Sequence, residues 1–148
     1  MSDCGLMREA LLEAEQAFAK GEIPIGAVLV HNGKIIARNH NRREELSDPT
    51  AHAEILVLRQ AGSLLGSWRL TETVLYVTIE PCPMCAGALV QARVSRLVFG
   101  AADPKAGAIE SLYRIASDER LNHRLEVTGG VLAEEAATLM RRFFQNRR

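Results

Sequence analysis

The chain has 148 residues, enough for one domain with a core of its own, and its 47% hydrophobic and 24% charged residues are those of an ordinary globular protein. Lys+Arg and Asp+Glu both number 18, so the formal net charge is zero and no global basic field announces a nucleic-acid binder. No apolar run approaches the roughly 20 residues of a membrane span, the N-terminal MSDCGLMREALLEAEQ has no signal core, and three cysteines are an odd count for a disulfide framework; one cytoplasmic domain over residues 1–148 is expected.

In chain order, Met7, Leu11, Ala14 and Phe18 recur at the spacing of one helical face, which predicts a helix from Leu6 to Lys20 stopped by Gly21. Two short apolar runs in IGAVLVHNGKIIARN flank Asn32-Gly33, the dipeptide of a tight hairpin turn. PTAHAEILVLRQAG reads as a helix, with Thr50 as its cap and Gly62 as its stop. TVLYVTIE has the near-continuous apolar character of a strand buried on both faces. A helix follows in PMCAGALVQAR, where Pro83 suits a first helical position. VSRLVFGA and RLEVTGGVL are further strands, and AEEAATLMRRFFQNRR closes the chain as a helix. Strands alternating with helices indicate an α/β domain, with a mixed sheet between helices because the opening hairpin is antiparallel and later crossovers are parallel. The connection AADPKAGAIESLYRIASDERLNH is long, and long ordered loops often carry function.

Cys82 and Cys85 stand three apart in EPCPMC, just after the apolar strand. Alone they could be a redox pair, a structural staple or half a metal site. His52 and Glu54 open the earlier helix in TAHAEI, and Cys4 reads as a bystander thiol. Three protein ligands with an open fourth position is the pattern of a catalytic zinc rather than a structural one. Residues two apart on a helix point about 200° away from each other. His52 and Glu54 therefore converge only if they sit at the helix start, where side chains tilt beyond its end. Partial positive charge at two helix N-termini would lower the thiol pKa values and favour a metal-bound hydroxide, with Glu54 placed to take the proton.

HAE followed by PCPMC matches the H-x-E…P-C-x-x-C signature of the zinc nucleobase deaminases. Within that group EIPIGAVLV, DPTAHAEI, LYVTIEPCPMCAGAL, LVFGAADPKAG, LNHRLEV and GGVLAEEAATLMRRFF resemble the bacterial tRNA-specific adenosine deaminases over nearly the whole chain. The resemblance implies a three-layer α/β/α fold of the cytidine deaminase type, with a mixed five-stranded sheet. It also implies one Zn2+ per chain on His52, Cys82 and Cys85, catalysis by Glu54, a homodimer, and conversion of the wobble adenosine in a tRNA anticodon loop to inosine. By the same resemblance the Asn41 side chain bonds the base, and the Ala53 N–H and Glu80 carbonyl hold base and leaving amine. Ile25 packs on the flipped base, Asp103 and Lys105 contact RNA, and Asn122 and His123 lie near the nucleotide pocket. Ala102 and Ala106 stand where the family often carries Arg and Thr, a departure that bears on RNA contact rather than chemistry.

Each residue has a plainer role available: a satisfied histidine at 52, a first-turn acid at 54, a turn residue at 41, solvated charges at 103 and 105. Trp68 reads as packing. Arg141, Arg142, Arg147 and Arg148 would either complement the helix macrodipole or meet the tRNA backbone. Competing functions are a guanine or cytosine/cytidine deaminase on the same zinc motif, and a zinc-stabilised RNA-binding subunit without activity. The last has no use for Glu54.

Overall fold

The computed structural model describes residues 1–147. Helix α1 (Asp3–Ala19) begins three residues earlier than the apolar spacing indicates, because the Ser2 hydroxyl accepts the Gly5 N–H at 3.0 Å and caps it. Strands β1 (Gly26–His31) and β2 (Lys34–His40) form the expected hairpin, with Asn32 and Gly33 both at positive φ, 52° and 75°. A short helix, α2 (Arg43–Leu46), precedes α3 (Ala53–Leu65), then β3 (Thr73–Ile79), α4 (Pro83–Gln91) and β4 (Arg96–Ala101). A 3-10 turn at Ile115–Ser117 interrupts the long loop before β5 (Glu126–Thr128), and α5 (Ala133–Asn146) closes the fold.

The sheet order is β2-β1-β3-β4-β5. β1 runs antiparallel to β2 and β3, whereas β3, β4 and β5 are parallel, so the mixed five-stranded sheet is as expected. Strand periodicity distributes the core between two faces. Ala27, Leu29, Leu75, Val77, Leu97 and Phe99 pack with Val57 of α3 and Leu89 of α4. The alternate residues Val28, Val30, Tyr76 and Val98 pack with Leu6, Met7 and Ala10 of α1. α5 joins that second face through Ala136, beside Ile79 and Ala101. Three layers result.

Two expectations about α3 fail, one at each end. Thr50 does not cap it; its hydroxyl and N–H both turn to Asp48, at 2.7 and 2.8 Å. His52 takes the cap position instead, and the helix runs through Gly62 to a left-handed Gly66. An interior glycine costs only about 1 kcal/mol. The apolar face through Ala61 carries the helix past it.

The start of α1 is tied to the sheet by a charged contact. Asp3 accepts Arg96 at 3.1 and 2.8 Å and the Tyr76 hydroxyl at 2.7 Å. These bonds, Arg96 foremost and Tyr76 next, hold the Asp3 carboxyl below its usual 3.8, while burial and the carboxylate push Tyr76 up to about 12. A depressed carboxyl adds stability above its unfolded value and loses it as pH falls through the folded one. Asp3→Asn should therefore lower the urea midpoint at pH 7, and its gap from the parent should close as pH falls below 3.8. Parallel urea curves at pH 7, 4 and 3 read this; a gap independent of pH excludes the ion pair as its source.

Candidate metal centre and pocket

α3 and α4 pack on the same face of the sheet, and their N-termini meet at one point beyond the end of β3. His52 and Cys82 are the cap residues, both in extended backbone (φ −74°, ψ 152° and φ −76°, ψ 174°). Neither helix has a side-chain capping hydrogen bond. A cap position ordinarily goes to Ser, Thr, Asp or Asn, and losing such a cap costs about 0.5–2 kcal/mol. Here both cap side chains turn to each other instead. His52 Nδ1 lies 3.6 Å from Cys82 Sγ and 3.5 Å from Cys85 Sγ. Because His52 lies outside the helix, the opposed directions of positions 52 and 54 within a helix do not arise.

The donor set fits a tetrahedral metal. Bond lengths of about 2.3 Å to sulfur and 2.0–2.1 Å to nitrogen at tetrahedral angles separate S and N ligands by about 3.5 Å. The three donor atoms all lie within 4.8 Å of one another, and they are the metal-competent cluster among the described residues. Cys4, exposed on α1, has no part in it.

The electrostatics show what an ion would resolve. The Cys85 thiol donates to Cys82, and this contact, together with His52 and against burial, brings Cys82 down to about 4. The reciprocal effect and burial push Cys85 up, and the bond to Cys82 raises His52. One thiolate forms readily while the second proton stays. A divalent cation would release it, since metal ligation requires both sulfurs deprotonated. Glu54, buried beside Cys85, is pushed up to about 7 chiefly by burial. A cation at the sulfurs would oppose that shift.

A cavity of about 490 Å³ opens onto the cluster. It brings together His52, Glu54 and Cys82 with Ile25, Asn41 and Ala53 on one side and Glu80, Asp103 and Lys105 on the other. The Ala53 N–H belongs to the first helical turn, where a backbone donor has no intrahelical partner. Asn41 accepts the Arg43 N–H at 3.1 Å through its side-chain oxygen, which leaves its amide nitrogen for a ligand. Arg43, Met140 and Phe144 also line the cavity and were not expected there. The i, i+4 spacing of Met140 and Phe144 was the available signal.

Several sequence-derived expectations are not met. Asn122 and His123 do not line the cavity: the His123 Nε2–H donates to the Val94 carbonyl at 2.7 Å, at the end of β4 remote from the pocket. Ala101, at the other end of β4, is the neighbour of Ile79. Trp68 is 60% exposed rather than packed, with the Arg69 guanidinium 4.6 Å over its ring. Arg147 donates to the Gly21 carbonyl at 3.2 Å, a contact that bears on neither role read for it from the sequence, and Arg148 lies outside the described residues. A larger groove, of about 920 Å³, runs beside Trp68 between α3 and α4, but the ligating residues are not in it.

The MafB19-like deaminase family matches residues 1–148. A tRNA-specific adenosine deaminase of Bacillus subtilis is 54% identical over 142 residues, 96% of this chain and 88% of its own. A solved structure from work on A-to-I editing by tRNA:A34 deaminases at the wobble position of transfer RNA superposes with a TM-score of 0.88. It shares 50% identity over 91% of this chain and 98% of its own. A guanine deaminase from Nitrosomonas europaea superposes with a TM-score of 0.80 at 26% identity, over 96% of this chain and 84% of its own.

Cobalt reports directly on the cluster. Co2+ added to metal-free protein should give a thiolate-to-cobalt charge-transfer band that Cys85→Ser weakens and Cys4→Ser leaves unchanged. A band insensitive to Cys82 and Cys85 substitution would place the metal elsewhere.

Proposed function

This chain belongs to the deaminase family of the tRNA-specific adenosine deaminases, and from that premise we propose how its residues carry out the hydrolytic conversion of adenosine to inosine at the wobble position of tRNA. His52, Cys82 and Cys85 would hold one zinc ion, and the open fourth position admits water. When bound, zinc supplies Lewis acidity that makes this water easier to deprotonate.

Glu54 does the proton work. Its carboxylate accepts a proton from the attacking water and delivers it to the ring nitrogen next to C6; it then takes the proton of the hydroxyl added at C6 and passes it to the departing amine as the C6 carbonyl forms. Water adds at C6 and ammonia leaves, so adenosine plus water gives inosine plus ammonia. Asn41 offers its amide nitrogen to the purine edge, and the Ala53 N–H and Glu80 carbonyl orient base and amine. Ile25 packs on the ring. Flipping a nucleotide costs a few kcal/mol, least in an unpaired loop. Contacts from Asp103 and Lys105 to flanking nucleotides offset that cost. Ala106, small where the family often has Thr, widens the rim next to them. The observation that carries the reading is the His52–Cys82–Cys85 cluster, whose His52 and Cys82 share one cavity with a buried Glu54.

We further propose that the protein works as a homodimer in the cytoplasm. Support for the dimer is the apolar groove between α3 and α4, lined by the half-buried Ile55 and Leu58 beside the exposed Trp68. A sedimentation mass of one chain refutes it. No helix among the described residues is long and apolar enough to cross a membrane.

Side-by-side rates test the function. A tRNA anticodon hairpin with a wobble adenosine should yield inosine far faster than free adenosine, cytidine or guanine react. Glu54→Gln should lower turnover by about 10²- to 10⁴-fold while retaining its metal and fold. Faster reaction of free guanine or cytidine overturns the substrate, and parent-level turnover in the variant overturns the mechanism.

A further inference from the structure

Glu80 follows β3 and precedes the Pro81-Cys82 turn, so its backbone is fixed within two residues of the metal cluster. The family reading concerns only its carbonyl. The residue is 3% exposed, yet its side chain forms no ion pair with a lysine or arginine among the described residues. A buried carboxylate persists only when hydrogen bonds replace lost water. All its protein donors come from one segment of the long loop. The N–H groups of Ile109, Glu110 and Ser111 donate to Oε2 at 3.1, 2.8 and 2.9 Å. The Asp103 N–H donates to Oε1 at 2.9 Å, joined by the Ser111 hydroxyl.

The segment closes around the carboxylate. A Cβ at Gly107 would overlap the Glu80 carboxyl group, so only glycine lets the chain pass this close. The Ala108 N–H adds a bond to the Pro81 carbonyl at 2.8 Å. Asp103 turns its own Oδ1 to the N–H groups of Lys105 and Ala106, at 3.0 and 3.2 Å, making a tight corner that projects into the cavity. Converging backbone N–H groups form an anion cradle. Here the anion is a side chain of the protein itself, bonded to both ends of the segment that forms one cavity wall.

We infer that Glu80 is a positioning residue for substrate binding: its carboxylate holds segment 103–111 in place, and with it the Asp103–Lys105–Ala106 wall, at a fixed distance from Glu54 and Cys82. The inference rests on the reading of this cavity as the substrate site, and it adds a side chain that touches neither substrate nor metal. Glutamine keeps the shape of Glu80 but has one acceptor oxygen. With that oxygen on the three N–H groups of residues 109–111, the amide nitrogen faces the Asp103 N–H, and the corner at Asp103 is released. The chemistry at Glu54 is left intact.

The test uses the metal-loaded protein and whichever nucleobase substrate the parent turns over fastest, so a wrong substrate assignment shows in the parent alone and leaves the Glu80 comparison standing. Glu80→Gln should raise KM about tenfold with kcat within about threefold, the split expected when binding is lost and the chemical step kept. Amide hydrogen exchange should speed up in residues 103–111 and not in α4, with metal content unchanged. Ser111→Ala removes one donor and should move KM in the same direction by less, which provides the reading if Glu80→Gln does not fold. An unchanged KM despite faster exchange in 103–111 overturns the inference, as the clamp would then be structural only. Lost metal, or a fall in kcat at unchanged KM, overturns it too.

Discussion

Two helices that begin at the same point in space, with their cap positions filled by side chains that could hold a metal instead of capping side chains, set the terms for this molecule. An uncapped helix end is a local loss of stability. Two such ends facing each other, with three donor atoms between them, form an arrangement that a divalent cation would stabilise. The N-terminal dipoles favour thiolate at the same place, in the same direction as the Cys85 and His52 contacts that lower Cys82. The three-layer packing supplies this geometry, since α3 and α4 lie on one sheet face and both start next to the end of β3. The fold therefore serves the site through the direction of its helices more than through the identity of its core residues.

Buried carboxylates do related work on both sides of the cavity. Glu22, 2% exposed, accepts the N–H groups of Glu44 and Glu45 at 3.1 and 2.7 Å and so fixes the short α2 that follows Asn41. Glu80 grips the opposite wall. Burial works to raise the Glu80 carboxyl, but the Glu110 N–H, the Ser111 hydroxyl and the Asp103 and Ser111 N–H groups outweigh it and hold the group at about 2. Behind them Glu13 bonds the buried His40 at 3.0 Å and Arg38 at 2.8 Å, anchoring α1 to the strand that leads to Asn41. Polar burial is thus concentrated where loops must be held still.

Most of the architecture was legible in the sequence because it rests on local rules. The Asn32-Gly33 turn demands positive φ, and the near-continuous apolar runs VLYVTI and RLVFGA declare strands whatever their neighbours. The His52–Cys82–Cys85 cluster, which could hold a metal, was legible through its spacing and its positions at helix starts. What could not be read depends on distant partners. The four-residue α2 has no amphipathic pattern of its own and exists because Glu22 caps it from elsewhere in the chain. His123 looked like a pocket residue by sequence company, but the run of β4 carries it to the far end of the sheet. Trp68 lacked any indication that its face of α3 and α4 is uncovered. The Glu80 side chain was hidden for a similar reason, as its partners lie 23 to 31 residues further on.

Zinc K-edge X-ray absorption on the purified protein tests the central claim that two helix caps and one first-turn cysteine build the metal centre. The expected spectrum has two sulfur neighbours at about 2.3 Å and two nitrogen or oxygen neighbours at about 2.0–2.1 Å, one of them exchangeable water. Cys82→Ser should remove one sulfur from that shell or lose the metal. A shell of nitrogen and oxygen alone, or one with four sulfurs, would contradict the account.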